Sequence, residues 1–349
     1  MIKIYKKALV SIIILSLFAV RAHSQDVHFS QFDAAPLYFN PALAGLIDCN
    51  NRILGNFKTQ WGTYNSAMIS YDQGIAKLTT ARGKFGLGGF VNVDYAGATS
   101  YGNTLFELTP AYHYEVIPSK LTLSGGLAAM FNYSTINESN VRLPNGIDPI
   151  TGQPIYGGSD LENTSQFYWD LGTGVNAKYM VNENLPVNLG FAIKRLLGNG
   201  GGLEDKSNDN YRRFSVNSNA IVPINTTVSL LPSLIYVQQN RYNELNFGSY
   251  LKYNTAQITR IVDAVYVGVW YRWNDAVIMG ISADRAIGES WVMNFGFNYD
   301  LTVSDFRSSN KWKSGNNVRS DSFEFSIRLM NCKVPFTVPR QGIINDPFR

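Results

Sequence analysis

Few side chains in this sequence have the type and spacing to do covalent or metal chemistry. Its three histidines, His23, His28 and His113, share no spacing that suits a zinc site, and no pair of cysteines does either. Gly198-Asn199-Gly200-Gly201-Gly202 has the glycines of a phosphate loop, but no Lys-Ser/Thr follows. No Gly-x-Ser-x-Gly nucleophile elbow occurs. Asp148, Asp160 and Glu162, near Asn145 and Asn163, read either as calcium ligands or as solvated loop acids. Glu324 and Arg328 alternate onto one polar strand face, where they suit a buried ion pair better than acid–base work. Neither an enzyme nor a bound cofactor or metal is expected. The remaining chemistry is that of Cys49 and Cys332, the only cysteines. They can form a disulfide in an oxidising compartment or stand as two free thiols.

An oxidising compartment is implied by the amino end. Residues 1–24 read as a secretory signal peptide, with Lys3, Lys6 and Lys7 before an apolar run from Ala8 to Val20. That run is too short for a membrane-spanning helix. Ala22-His23-Ser24 places small residues where a signal peptidase reads, so cleavage is expected near Ser24, leaving Gln25 first. The leader holds four basic residues and no acidic ones. What remains, 26 basic against 26 acidic residues, is formally neutral and gives no reason to expect nucleic-acid binding.

Charged residues are only 16% of the chain, against roughly 25% in soluble domains. Aromatic residues are frequent. Several stretches alternate with period two. Trp291, Met293, Phe295, Phe297, Tyr299 and Leu301 share one face, and Val292, Asn294, Gly296, Asn298 and Asp300 the other. Phe323, Phe325, Ile327 and Leu329 likewise alternate with Ser322, Glu324, Ser326 and Arg328. A soluble sandwich or a transmembrane barrel would show this pattern. The segments are often 9 to 13 residues long, near the length that crosses a bilayer at a tilt. Their polar faces carry Asp170, Lys178, Lys194, Lys252, Arg272 and Asp300, which a barrel lumen tolerates. Aromatic residues cluster at the segment ends. The expected fold is therefore all-β: a transmembrane antiparallel barrel of about 14 strands with a periplasmic N-terminal segment.

The strand count carries a check on itself. With both termini periplasmic, the three longest connections (134–164, 196–210 and 302–318) all fall on the outer side. The expected organisation is a signal peptide (1–24), an N-terminal periplasmic segment acting as plug or collar (25–50), an outer-membrane barrel (51–332) and a periplasmic tail (333–349). Cys49 and Cys332 then flank the first and last strands, which are neighbours in a closed barrel, and a disulfide there would tie the N-terminal segment to the seam.

That segment reads Phe29-Ser30-Gln31-Phe32, then Pro36-Leu37-Tyr38-Phe39-Asn40-Pro41-Ala42-Leu43-Ala44-Gly45. Pro36 and Pro41 exclude a long regular helix, and Pro41 biases Asn40 to an extended backbone. Phe29, Phe32, Leu37, Tyr38 and Phe39 are expected to fill the periplasmic mouth. Direct partner contact is the other reading.

These residues resemble the amino-terminal signature of the PorP/SprF family, outer-membrane proteins of the type IX secretion system in Bacteroidota. Phe29, Ser30, Gln31, Pro36, Asn40, Pro41, Ala42, Ala44 and Gly45 carry the resemblance. Gln60-Trp61, Ser70-Tyr71-Asp72, Asn298-Tyr299-Asp300 and Ser322-Phe323-Glu324 extend it over the mature chain. The resemblance implies an outer-membrane location in a Gram-negative bacterium and contact with outer-membrane lipid. It also implies type IX components as partners, with secretion or surface anchoring of a partner such as a gliding-motility adhesin, held by its C-terminal region. A channel or hydrophobic-solute transporter is the alternative. Loop 134–164 departs from the family pattern and is the expected determinant of cargo choice.

Overall fold

The computed structural model describes residues 29–30, 32–75, 80, 82–97, 101–136, 165–198, 211–255, 261–304 and 321–332. The expected leader, Gln31, the acidic loop residues, the glycine run from Asn199 and the tail lie outside the described residues, as does loop 134–164 beyond Ile136.

The chain forms a closed antiparallel barrel. Its strands are β1 (Asn51–Gln60), β2 (Tyr64–Ile75), β3 (Gly83–Ala96), β4 (Tyr101–Ile117), β5 (Leu121–Thr135), β6 (Ser165–Asn182), β7 (Leu185–Lys194) and β8 (Arg213–Ala220). They continue as β9 (Val222–Pro223), β10 (Val228–Gln239), β11 (Tyr242–Asn254), β12 (Ala264–Arg272), β13 (Ala276–Ile287), β14 (Trp291–Thr302) and β15 (Ser322–Asn331). β8 and β9 pair with the same strand, β10, on either side of Ile221 and form one stave, so the barrel has fourteen. β15 pairs with β1 from Asn51↔Asn331 to Gln60↔Ser322, which closes the sheet. Closure leaves no open sheet edge, the condition for strands to cross a bilayer.

The alternation in sequence becomes two faces of opposite polarity. On β14, Asn294, Asn298 and Asp300 are buried inside while Phe295 points out, 52% exposed. Leu127 and Ile69 are outward and about as bare, at 62% and 60%. Arg52, Lys58, Asp72, Glu107 and Glu324 are turned inward and fully buried. A soluble sandwich would put these sets the other way round. Exposed rings mark both ends of the wall. Tyr64, Tyr95, Phe167 and Trp273 lie toward one rim, and Phe85, Tyr114, Tyr179 and Tyr253 toward the other. These are the aromatic girdles of a membrane barrel.

The connections sort by rim. Those between β5 and β6, β7 and β8, and β14 and β15 are long and share one rim with the tight turns at Gly62 and Asn240. Asn240 takes the left-handed backbone, φ 54°, that the two-residue turn from β10 to β11 demands. The opposite rim carries the short turns near Ser119 and Gly288. It also carries Cys49 and Cys332, which are disulfide-bonded with Cα atoms 4.3 Å apart.

Candidate functional site: a plugged lumen

Residues between Phe29 and Cys49 fold back into the barrel, against β3 to β8 along most of their length and against β1, β12, β14 and β15 at their amino end. Local chemistry shapes this plug. Pro36 opens a single helical turn, Pro36–Phe39, where its fixed φ is suitable and its missing N–H costs nothing. Asn40 ends that turn with an extended backbone, φ −148° and ψ 116°, as a residue before proline prefers. Its side chain then caps the next turn, Pro41–Leu43, by accepting from the Ala42 N–H at 2.9 Å. The same side chain donates through Nδ2 to the Val175 carbonyl at 3.0 Å and to Asn217 Oδ1 at 3.1 Å. One residue thus joins the two turns and fixes both to β6 and β8.

The wall is recessed to receive the plug. Gly86 and Gly88 on β3, Gly126 on β5, Gly174 on β6 and Gly190 on β7 all face inward. A Cβ at Gly86 would overlap the Ala44 carbonyl, one at Gly126 the Pro41–Ala42 peptide, and ones at Gly174 and Gly190 the Asn40 amide. Gly45 is constrained from the plug side. Its φ is +70°, and a Cβ there would overlap the Gln73 carbonyl and Gly86. Ala42 and Ala44 have no exposed surface.

Wall donors meet the plug's carbonyl groups in order down the barrel. Lys194 Nζ donates to Leu37 O at 3.0 Å and to both Glu107 oxygens at 2.6 and 2.7 Å. Arg213 donates to Tyr38 O at 3.4 Å and lies 4.2 Å from the Tyr38 ring centre. Ser215 Oγ donates to Phe39 O at 2.6 Å. His113 Nε2 donates to Ala44 O at 2.9 Å, which requires the proton on that nitrogen. Its Nδ1 faces Ser124 Oγ at 2.8 Å. Lys84 Nζ donates to Ile47 O at 2.9 Å. Asp72 accepts from the Gly45 N–H at 2.8 Å and pairs with Arg52 at 3.0 Å. Helix-end carbonyls and buried charges are costly without such partners.

The amino end has its own anchor. Ser30 N–H donates to Glu324 Oε2 at 2.6 Å, and its hydroxyl donates to Asp300 Oδ2. That hydroxyl accepts from Lys58 Nζ at 2.7 Å and Arg272 Nη2 at 3.1 Å. Lys58 and Arg272 both reach Asp300, and Glu244 lies 3.4 Å from Arg272. Five strands contribute to this cluster.

The structure therefore gathers the motif residues. Phe29, Ser30, Pro36, Asn40, Pro41, Ala42, Ala44 and Gly45 are all buried in the plug. The segment does not stop at the rim bearing Cys49, where the sequence reading put it. Ser30 meets Lys58, Arg272, Asp300 and Glu324, each within two residues of its strand's end at the long-loop rim. Lys194, Arg272, Asp300 and Glu324, which in sequence are polar strand residues of a lumen, hold the plug in the structure. The inward glycines on β3, β5, β6 and β7 were the available signal. Among the described residues no group of three or more His, Cys, Asp or Glu side chains could hold a metal ion.

A closed barrel with an apolar outer wall and an ion-paired, plugged lumen is an outer-membrane type of β-barrel protein. Residues 22–318 match a family described as type IX secretion system membrane protein PorP/SprF, and the chain belongs to that family. No curated protein matches the sequence. Among solved structures, the Ralstonia pickettii toluene transporter TbuX aligns with TM-score 0.54 at 14% identity, covering 86% of this chain and 93% of that one. The Pseudomonas putida toluene transporter TodX aligns with TM-score 0.52 at 10% identity, covering 89% and 100%. A Pseudomonas aeruginosa FadL homologue aligns with TM-score 0.50 at 10% identity, covering 84% and 93%. At these identities the likeness is one of fold.

Proposed function

We propose that this protein is an outer-membrane anchor of the type IX secretion system, with its long-loop rim facing outward. It supports secretion or surface attachment of a partner protein, such as a gliding-motility adhesin, by binding the partner's C-terminal region. The observation that carries this reading is the plug. Backbone from Leu37 to Ile47 is bonded to β3, β4, β7 and β8, so the barrel offers surfaces for binding rather than an open bore. Family membership supplies the secretion system as context. The other periplasmic and outer-membrane components of that system are its expected neighbours, and outer-membrane lipid covers its apolar exterior. The loop at 134–164 is the expected determinant of which partner binds.

Passage of a hydrophobic solute draws support from the fold likeness to toluene transporters. It requires a route past the plug. Deleting the gene and quantifying secreted and surface proteins separates the two readings. Selective loss of one or a few large exported proteins is expected. An unchanged protein profile with slowed uptake of apolar solutes would overturn the anchor.

A further inference from the structure

The outer wall carries a single charge. Among the described strands, every Asp, Glu, Lys and Arg alternates with the lumen-facing set except Arg285. Arg285 follows Ile281 and Ala283 on the outward face of β13 and is exposed. It lies two residues from the strand's end at Ile287, on the rim that carries the Gly288 turn, and Trp291 pairs with Ile287 beside it. A charge on the lipid face is costly at mid-membrane and tolerated near the headgroups, which an arginine reaches by extending its stem. Farther from that rim the same wall is recessed. A cavity of about 610 Å³ opens outward at mid-height between two rows of side chains that cross β1, β15, β14 and β13. One row is led by Phe57, Phe325 and Phe297, in register across the strands. The other runs from Gly55 through Ile327 to Ala283, and the two small residues at its ends leave the space. The volume is that of a small-ligand site. Its almost wholly apolar lining does not supply the two to four polar partners a water needs.

From this geometry we infer that the wall holds one phospholipid, with its phosphate at Arg285 and an acyl chain laid in the recess. The two parts match in position. Ala283, at the edge of the recess, and Arg285 share one face of one strand and are two residues, ~7 Å, apart. A phospholipid in the leaflet on the Cys49 side has its headgroup at the level of Arg285 and its chains running toward mid-membrane, where the recess lies. A guanidinium pairs with two phosphate oxygens at once, and its five N–H donors leave room for a protein contact as well. The surrounding lipid tails are as apolar as the recess, so the chain is held by packing contact and the phosphate fixes which lipid stays. The recess crosses the β1–β15 closure. The bound chain therefore overlies from outside a join that Asn56 Nδ2, donating to Glu324 Oε1 at 2.8 Å, ties on the lumen side. The inference needs only a barrel that crosses a bilayer and does not depend on the secretion partner proposed above.

Photolabelling of the purified full-length protein in dodecyl maltoside, a detergent without phosphate, tests the site. The probe is a phosphatidylglycerol with a diazirine in one acyl chain, and labelled peptides are mapped by mass spectrometry after irradiation. Labelling of the peptides that hold Phe295 and Phe325 is expected to saturate near one probe per barrel. It is expected to exceed several-fold that of the opposite wall at Leu127 and Val175, which are no less exposed. A diacylglycerol with the same photoreactive chain and no phosphate is expected to show no such excess. Arg285→Gln is expected to remove most of the excess. Ala283→Phe, which fills the recess with Arg285 in place, is expected to do the same. Heat-modifiable migration confirms that each variant is folded, and the two probes on the native protein decide the question even where a variant fails to fold. Equal labelling of the two walls, an equal excess with the diacylglycerol, or an excess that Arg285→Gln leaves intact would overturn the inference. An excess that persists in Ala283→Phe would overturn the recess as the place of the chain.

Discussion

The two sides of the lumen are filled in opposite ways. From β3 to β8 the inward glycines admit the backbone of another segment: Gly86 faces Ala44, Gly126 faces Pro41 and Gly174 faces Asn40. From β11 to β13 the wall also turns glycines inward, at Gly248, Gly268 and Gly280, but there a Cβ would meet Trp270 or Tyr250. Those two rings lie 4.4 Å apart, and Tyr266 lies 5.9 Å from Tyr250. Leu231, Ile235 and Ile278 join these rings in an apolar cluster that also takes in Phe29, Leu37, Tyr38 and Phe39 of the plug. Glycine recesses on β3 to β7 admit the plug's backbone, and those on β11 to β13 admit the wall's own rings.

Variants can break that contrast. The largest expected effect is on the plug side, at Lys194→Met. It leaves the Glu107 carboxylate buried without its cation and removes the donor to Leu37 O. Breaking such a buried pair costs about 3–5 kcal/mol. A lower denaturant midpoint for the purified barrel in detergent checks it. Lys194→Met with Glu107→Leu is expected to recover most of the loss.

Removing the disulfide comes next. Cys49→Ser with Cys332→Ser frees the plug's carboxyl end and the barrel seam together, and loss of such a bridge typically costs about 2–4 kcal/mol. Heat-modifiable gel migration under non-reducing conditions is expected to shift to a lower melting temperature. The aromatic side should be unaffected, as read by near-ultraviolet circular dichroism below the transition.

A matched pair of overpacking variants sharpens the comparison. Gly174→Val drives methyl groups into Asn40 and Pro41, and Gly268→Val drives them into Trp270 and Tyr250. Each costs roughly 1–3 kcal/mol. Only the first is expected to expose the plug to protease at its Leu37–Phe39 turn while leaving the barrel intact. If Gly268→Val releases the plug equally, the two sides are not independent.

The contrast also explains what the sequence could reveal. The barrel was legible because face polarity repeats every two residues along β14 and β15, and because loop lengths alternate with strand count. Neighbouring positions of Cys49 and Cys332 followed from closure alone. The plug's depth was not legible. Period-two alternation reports which face a residue takes, not how far a segment outside the sheet travels along it. Asn40 binds Val175 and Asn217, 135 and 177 residues away, and Ser30 binds partners 28 to 294 residues away. Nothing local to Ser30 marks it as a latch. A glycine facing inward looks the same in sequence whether it admits Trp270 from its own wall or Ala44 from the plug.

The smallest expected effect tests a single hydroxyl on each side. Ser215 Oγ donates to Phe39 O in the plug, and Ser233 Oγ accepts from Trp270 Nε1 at 3.0 Å in the aromatic cluster. Each bond is worth about 1 kcal/mol. Ser215→Ala should leave global stability nearly unchanged, because Lys194 and Arg213 still hold the preceding two carbonyls. Local opening of the turn is a separate equilibrium, and a loss of that size speeds its hydrogen exchange about five-fold. Exchange measured by mass spectrometry on peptides covering 36–43 is therefore expected to rise in Ser215→Ala and stay unchanged in Ser233→Ala. Equal exchange in the two variants would mean that the plug and the aromatic cluster, which share one apolar core, also open as one unit.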